Sequence, residues 1–280
     1  MFSLLQSRRI RGAAGEPLPT VFKALDAKGT RLLRGQLGLV AAGPGTGKSA
    51  FALTLALKSG VTCLYFSADS DAFVQLTRSI SILRGIPLEQ AARMVLSEDL
   101  SAVETDLVDV PVRFNYTASP SLDDIERSMQ SYEEVYGSYP GFVVVDNITN
   151  VRTDGSDDDP FSGLEALMDY LNDMARETQA FVMGLHHVTG PFNDSDKPIP
   201  LSGVKGQIAR VPGLVLTLHK EPGEFGIADT LCVSTVKNRG GKADPSGYDF
   251  ARLEFVGERM SIADFSNPPI REDQYQNVQH

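Results

Sequence analysis

The sequence predicts an α/β fold: a mostly parallel, twisted sheet flanked by helices, with antiparallel strands toward the C-terminus. Three observations carry that expectation. Short apolar or β-branched runs alternate with helix-length amphipathic segments, the pattern of a doubly wound sheet. A glycine-rich stretch, Ala42-Gly43-Pro44-Gly45-Thr46-Gly47-Lys48-Ser49, lies between one such strand and one such helix. Further along, Asp146 ends the apolar run Phe142-Val143-Val144-Val145. In open α/β sheets ligands bind at the carboxyl ends of the strands, where both features fall.

Composition sets outer limits. The chain has 280 residues, enough for one large α/β domain with extensions. It contains no apolar run of about 18 residues, so no transmembrane helix and no membrane partner are expected. The N-terminus lacks a signal-peptide apolar core, and Arg8, Arg9 and Arg11 read as a solvated basic arm rather than a transit peptide. Cys63 and Cys232 each sit in an apolar strand-like run. Buried free thiols in a reducing, cytoplasmic compartment follow. A formal net charge of −10 argues against a surface coated with base for nucleic acid, but leaves room for a local basic channel.

The elements follow in order. Residues 1–34 mix Gly, Pro and Arg and read as an N-terminal extension with a short helix around Thr20–Ala27. Gln36–Ala41 is a buried strand, and the segment from about Lys48 through Leu57 is a helix. Val61–Ser67 is the second strand, followed by helices over Ala72–Arg84 and Leu88–Leu96. Val110–Tyr116 is the third strand. Ser121 caps a helix that has Asp123 and Asp124 in its first turn and runs to about Tyr136. Phe142–Asp146 is the fourth strand. Phe161–Gln179 is an amphipathic helix with Leu164, Leu167, Met168, Leu171 and Ala175 on one face. Ala180–Leu185 is the fifth strand and ends at His186-His187. Val188–Gly203 is a long polar loop with three prolines and Lys197, functional or mobile by its length. Strands over Leu214–His219, Thr230–Val236 and Phe250–Val256 are joined by turns at 223–229 and 240–247. The expected core is 35–264, and the polar tail 265–280 is expected to be disordered.

The chemistry starts at the glycine loop. Gly43, Gly45 and Gly47 let the backbone point N–H groups inward at an anion, and the following helix adds the positive end of its dipole. Ala42, Gly43, Pro44, Gly45, Thr46, Gly47, Lys48, Ser49 and Ala50 thus form a nucleotide cradle of the P-loop kind. Lys48 reaches the β/γ-phosphates, and the Ser49 hydroxyl ligates Mg²⁺. The strict motif has Gly where Ala42 stands; its second glycine, lysine and hydroxyl are intact. Asp146 is placed to hold the same Mg²⁺, directly or through water. Many P-loop ATPases have Glu directly after this Asp, where Asn147 stands here. Asp69, after the second strand, is then the expected water-orienting base. Asp71 competes with it, and an N-cap of the next helix is the other role open to either. The cluster Asp157-Asp158-Asp159 reads as a solvated acidic loop rather than a metal site. His186 and His187 point to opposite faces of their strand and are not placed to share an ion; His186 reads as a neutral core histidine. Lys237 and Arg239 share one side of their strand end by period-two alternation, and a pair of solvated charges at a hairpin tip is the plain role for them.

The chain resembles the RecA-like motor domains of hexameric replicative helicases of the DnaB type, which include phage primase-helicases. The matching stretches are Gly35–Pro44, Gly47–Leu53, Leu64–Asp69, Val143–Asp146, Met174–Glu177, Leu185–His187, Pro198–Ser202 and Lys237–Gly240, covering about residues 30–262. In that family Ala at the first loop position is common. The resemblance implies ATP and Mg²⁺ as nucleotide and cofactor, a ring (a hexamer in that family), single-stranded DNA as substrate and replication partners. It places Asp69 where the family has its catalytic Glu, and His187 where it has a γ-phosphate sensor. It makes Lys237 and Arg239 a pair reaching the nucleotide of the adjacent subunit. The loop 188–203, with Lys205 and Arg210 nearby, becomes a candidate DNA-contacting loop. Two other readings stay open: a recombination ATPase forming filaments on single-stranded DNA, and a nucleotide-switched regulatory ATPase with no DNA substrate.

Overall fold

The structure, a computed structural model, describes residues 3–153, 162–188, 190–204, 207–223 and 228–266. The strands among them are β1 (Leu37–Ala42), β2 (Cys63–Ser67), β3 (Val112–Asn115), β4 (Phe142–Asp146), β5 (Phe181–His187), β6 (Leu214–Glu221), β7 (Asp229–Asn238), β8 (Phe250–Val256) and β9 (Ser261–Ala263). They form one sheet in the order β3-β2-β4-β5-β1-β6-β7-β8-β9. Pairing is parallel from β3 through β6 and antiparallel from β6 through β9. The expected mixed α/β sheet is therefore present, with its antiparallel part C-terminal.

The helices are α1 (Leu4–Ile10), α2 (Lys23–Ala27), α3 (Lys48–Lys58), α4 (Ala72–Arg84), α5 (Leu88–Leu96), α6 (Glu104–Val108), α7 (Leu122–Tyr136) and α8 (Ser162–Thr178). Strands β1, β2 and β4 are buried at every position, because helices cover both faces of a parallel sheet. On one face Phe51, Leu53 and Leu57 of α3 join the alternate residues Val40, Tyr65 and Val144. On the other, Ile125 and Met129 of α7 and Leu167 and Leu171 of α8 meet Leu39, Val143 and Val145. Helix α3 is apolar almost all round and buried accordingly. Helix α7 begins with a capping box between Ser121 and Asp124 and ends on Gly137 at φ +76°. A left-handed terminus of that kind favours glycine.

Several details depart from expectation. The stretch 17–34, placed in the extension, is packed onto the core. Leu18, Phe22 and Leu25 are buried, Phe22 stacks on Phe51, and Asp264 accepts from the N–H groups of Lys23 and Ala24. Strand β3 is shorter than Val110–Tyr116 because Pro111 interrupts its start; a proline has no ladder donor. The loop after β5 is not loose. Ser195, Ile199 and Val204 are buried, and Ile199 O accepts from Thr217 Oγ1. Cys63 and Cys232 are free and buried. Among the described residues no helix is long and apolar enough to cross a membrane. The acidic cluster Asp157–Asp159, Lys205 and the tail beyond residue 266 lie outside the described residues.

Candidate nucleotide site

The sheet order places β2, β4, β5 and β1 side by side and parallel. Their carboxyl ends therefore share one edge. Ala42 is paired with His187, and Ser67 with Asp146. Residues distant in sequence reach this edge by strand length alone: the loop 43–47, Asp69, Asp146 and His187.

Geometry requires glycine at several points of the loop, among them Gly47, Gly45 at φ +71° and Gly43. Gly47 has φ +113° at the N-cap of α3, a conformation side chains rarely tolerate. At Gly43 an added Cβ would lie 1.8 Å from the Asn193 carbonyl oxygen. The loop after β5 thus lies directly on the glycine loop, and Ser195 Oγ accepts the Gly43 N–H at 2.6 Å. Thr46 Oγ1 donates to Gly43 O at 3.0 Å.

Lys48 is only 6 % exposed. Its ammonium donates to Ala42 O at 2.9 Å and Gly43 O at 2.8 Å. Its third neighbour is His187 Nδ1 at 3.2 Å. An ammonium has three protons, so every donor is engaged. That assignment makes Nδ1 of His187 an acceptor, leaving the ring neutral with its proton on Nε2. Burial, then the Lys48 charge, holds the His187 pKa below its ordinary value. Burial also pulls the Lys48 pKa down to about 8, against the opposing pull of Asp146 and Asp69.

Asp146 is 4 % exposed. Its Oδ2 accepts from the Tyr65 hydroxyl at 2.8 Å, and the Ser49 hydroxyl is near enough to favour its charged form. Burial raises the carboxyl pKa above its usual range, and the Ser49 and Tyr65 hydroxyls partly offset that. A hydroxyl and a buried carboxylate side by side are hard oxygen donors of the kind Mg²⁺ takes. The residues therefore fit that ion.

Asp69 and Asp71 separate. Asp71 Oδ1 accepts Val74 N at 2.9 Å and caps α4. Asp69 instead faces β4, where its carboxylate accepts from Asn147 Nδ2 at 3.0 Å and Asn150 Nδ2 at 2.9 Å. Lys237 and Arg239 do share one side, but not this edge. Lys237 Nζ donates to Ala209 O and Arg210 O, each at 2.7 Å, and an Arg239 guanidinium N–H donates to Arg210 O at 2.9 Å. Because β7 runs antiparallel to β6, Asn238 is paired with Leu214, which is paired with Gly38 at the start of β1. The two cations therefore stand at the amino edge of the parallel strands. Sequence reasoning missed Tyr65, Asn150 and Ser195. The one signal for Tyr65 is that a buried tyrosine hydroxyl needs a partner.

Strand order, glycine loop and the row of polar side chains at the carboxyl edge define a P-loop nucleotide-binding protein with a RecA-like α/β core. The model of the DnaB-like helicase C-terminal domain matches residues 17–244. The chain belongs to that family, a class of nucleotide-hydrolysing helicase motor domains. It is 64 % identical over 269 residues to the Gene 65 protein of Mycobacterium phage L5, covering 95 % of this chain and 100 % of that one. It is 62 % identical over 231 residues to the Gene 65 protein of Mycobacterium phage D29, covering 82 % and 99 %. Among solved structures, an ATPase domain superposes with TM-score 0.76 at 18 % identity over 94 % of this chain and 96 % of that one. A DnaB-like replicative helicase, studied with its interactions with primase, gives TM-score 0.76 at 18 % identity over 95 % and 67 %. These two likenesses show the fold.

Proposed function

We propose that the protein is an ATP-dependent DNA motor that hydrolyses ATP at the subunit interfaces of a homo-oligomeric ring, a hexamer by family resemblance, and acts on single-stranded DNA in replication. The observation that carries the reading is the division of the cationic groups between two edges of one sheet. Lys48 stands with Asp69, Asp146 and His187 at the carboxyl edge, while Lys237 and Arg239 stand at the other end of the parallel strands. The six residues of β1 separate the edges by roughly 17 Å. A subunit's own Arg239 is thus out of reach of its own nucleotide, which supports its supply to the nucleotide of a neighbour.

In this reading the N–H groups of residues 45–50 cradle the phosphates. Lys48 exchanges its carbonyl partners for β- and γ-phosphate oxygens. Ser49 and Asp146 hold Mg²⁺, which when bound neutralises charge on the phosphates. Asp69 orients the attacking water, His187 contacts the γ-phosphate, and Arg239 with Lys237 of the adjacent subunit meets the charge that develops in the transition state. The loop 190–204 with Lys197, and Arg210 beyond it, is the surface assigned to the DNA backbone. The working unit is the core 35–264 with residues 17–34 packed on it. Since the relatives are phage proteins, the place of action is the cytoplasm of the host cell.

The net charge of −10 favours one competing reading, a nucleotide-switched ATPase with no DNA substrate. ATP hydrolysis measured with and without single-stranded DNA decides between them. We expect stimulation by DNA and turnover per subunit that rises with protein concentration. Turnover indifferent to DNA would favour the regulatory reading, and turnover independent of concentration down to the monomer would remove the shared site.

A further inference from the structure

We infer that Asn147 and Asn150 are positioning residues: the turn after β4 grips the Asp69 carboxylate by both oxygens and aims it. The inference rests on the reading of Asp69 as the water-orienting base.

The grip is built in layers. Ala68 N donates to Asp146 O at 2.8 Å, so the exit of β2 is tied to the end of β4. The chain then closes a short 3-10 turn over Ile148–Asn150 with Asn147 as its N-cap. Asn147 is 3 % exposed, and its Oδ1 accepts the backbone N–H of Thr149 at 2.8 Å. A backbone N–H can only donate, so the amide orientation is fixed. Nδ2 must face Asp69, and it meets Oδ2 at 3.0 Å. The turn brings Asn150 around to the other oxygen, Nδ2 to Oδ1 at 2.9 Å. Ile148, fully buried between them, keys the turn to β5: a Cβ at Gly184 would lie 2.8 Å from Ile148 Cγ2. The turn therefore cannot rotate without moving the sheet.

Asp69 itself is exposed on a loop, where an aspartate with no support samples several rotamers. An ionised carboxylate has about four acceptor sites. Two amides occupy one on each oxygen and leave the others for a water. Neutral amides suit the task, because an acidic side chain at 147 or 150 would repel the group it has to hold. The position directly after the β4 aspartate thus supplies no base here; it orients one carried on the loop after β2.

The test is steady-state ATP hydrolysis by the full chain. Asn150 is the primary site because it is only half-buried at the end of the turn; thermal unfolding of each variant verifies folding. Asn150→Ala is expected to lower kcat about tenfold with little change in the KM for ATP, and Asn147→Ala/Asn150→Ala about a hundredfold, the scale of a misplaced reacting group. Asn150→Asp keeps the shape but replaces a donor by a charge, so its kcat should fall below that of Asn150→Ala. A role in shape alone would reverse that order. In an Asp69→Asn background, Asn150→Ala should cause no further loss, since the two act as one unit. Asn150→Asp outperforming Asn150→Ala, or an undiminished loss in the Asp69→Asn background, overturns the inference while leaving Asp69 as base. Wild-type turnover by Asp69→Asn alone removes the base reading, and the inference with it.

Discussion

Nucleotide affinity should depend on pH through Lys48. In the nucleotide-free protein its ammonium is buried and its pKa is pulled down to about 8. A bound triphosphate places negative charge beside it and restores the protonated form. Binding then takes up protons wherever the free protein has lost them. The sign follows: raising the pH through about 8 leaves more subunits neutral at Lys48, and affinity falls. If only the protonated form binds, the Kd for MgATP rises about tenfold between pH 7 and pH 9, or about 1.4 kcal/mol. At pH 8 about half a proton is taken up per nucleotide bound. His187 does not blur the window, because its pKa lies below the ordinary histidine value and its ring is neutral throughout. Phosphate groups, which titrate near about 6, are ionised across it as well. Titration calorimetry in buffers of differing ionisation enthalpy measures both quantities. A Kd constant from pH 7 to pH 9, with a binding enthalpy indifferent to the buffer at pH 8, would refute the buried, titrating Lys48.

Other consequences are equally direct. Asp69→Asn should bind ATP nearly normally and turn over about a hundredfold more slowly, the scale of losing a general base. Asp71→Asn should stay near wild type, because Asn also caps a helix; damage confined to Asp71 would place the base two residues further on. Arg239→Ala should keep ATP affinity and ring assembly while losing most turnover, and mixing it with Lys48→Ala subunits should restore part, because one class of interface then has both groups intact. Failure of mixing to restore anything would exclude a shared site. Gly43→Ala should lower the thermal midpoint by several degrees, since its Cβ must displace Asn193 and overpacking costs about 1–3 kcal/mol; an unchanged midpoint would mean that the loop after β5 does not bear on Gly43.

Strands β1, β2, β4 and β5 were legible because each is a short, mostly apolar run. Phe142-Val143-Val144-Val145-Asp146 has no amphipathic alternative, and its expected ends are the observed ones. Alternation also placed Lys237 and Arg239 on one side. What alternation lacks is direction: only the antiparallel pairing of β7 shows that the pair stands at the edge away from Lys48. The stretch 17–34 was opaque for a different reason. Leu18, Phe22 and Leu25 have helical spacing, but Pro19 and the short length of α2 break the period. Contacts across long separations were beyond reach altogether. Tyr65 meets Asp146 across 81 residues, Asn150 meets Asp69 across 81, and Ser195 meets Gly43 across 152. No local pattern marks a tyrosine, an asparagine or a serine as a partner at that range.

The two groups of cations face the same exchange from opposite edges. Lys48 spends its donors on the carbonyls of Ala42 and Gly43, and Lys237 and Arg239 spend theirs on the carbonyls of Ala209 and Arg210. Each carbonyl is a neutral acceptor, whereas a phosphate oxygen offers a hydrogen bond between two charges, roughly twice as strong. Lys48 makes that exchange when its own subunit binds nucleotide. In the ring we propose, Lys237 and Arg239 would make it only when a neighbour presents a phosphate, and would then release the two carbonyls of 209 and 210. That short segment packs against the helix α8 through Ile208 and the side chains around it, and it lies just beyond the loop 190–204 that rests on Gly43. On the proposed reading, hydrolysis in one subunit would change what restrains this segment in the next, a physical route to sequential firing around a ring.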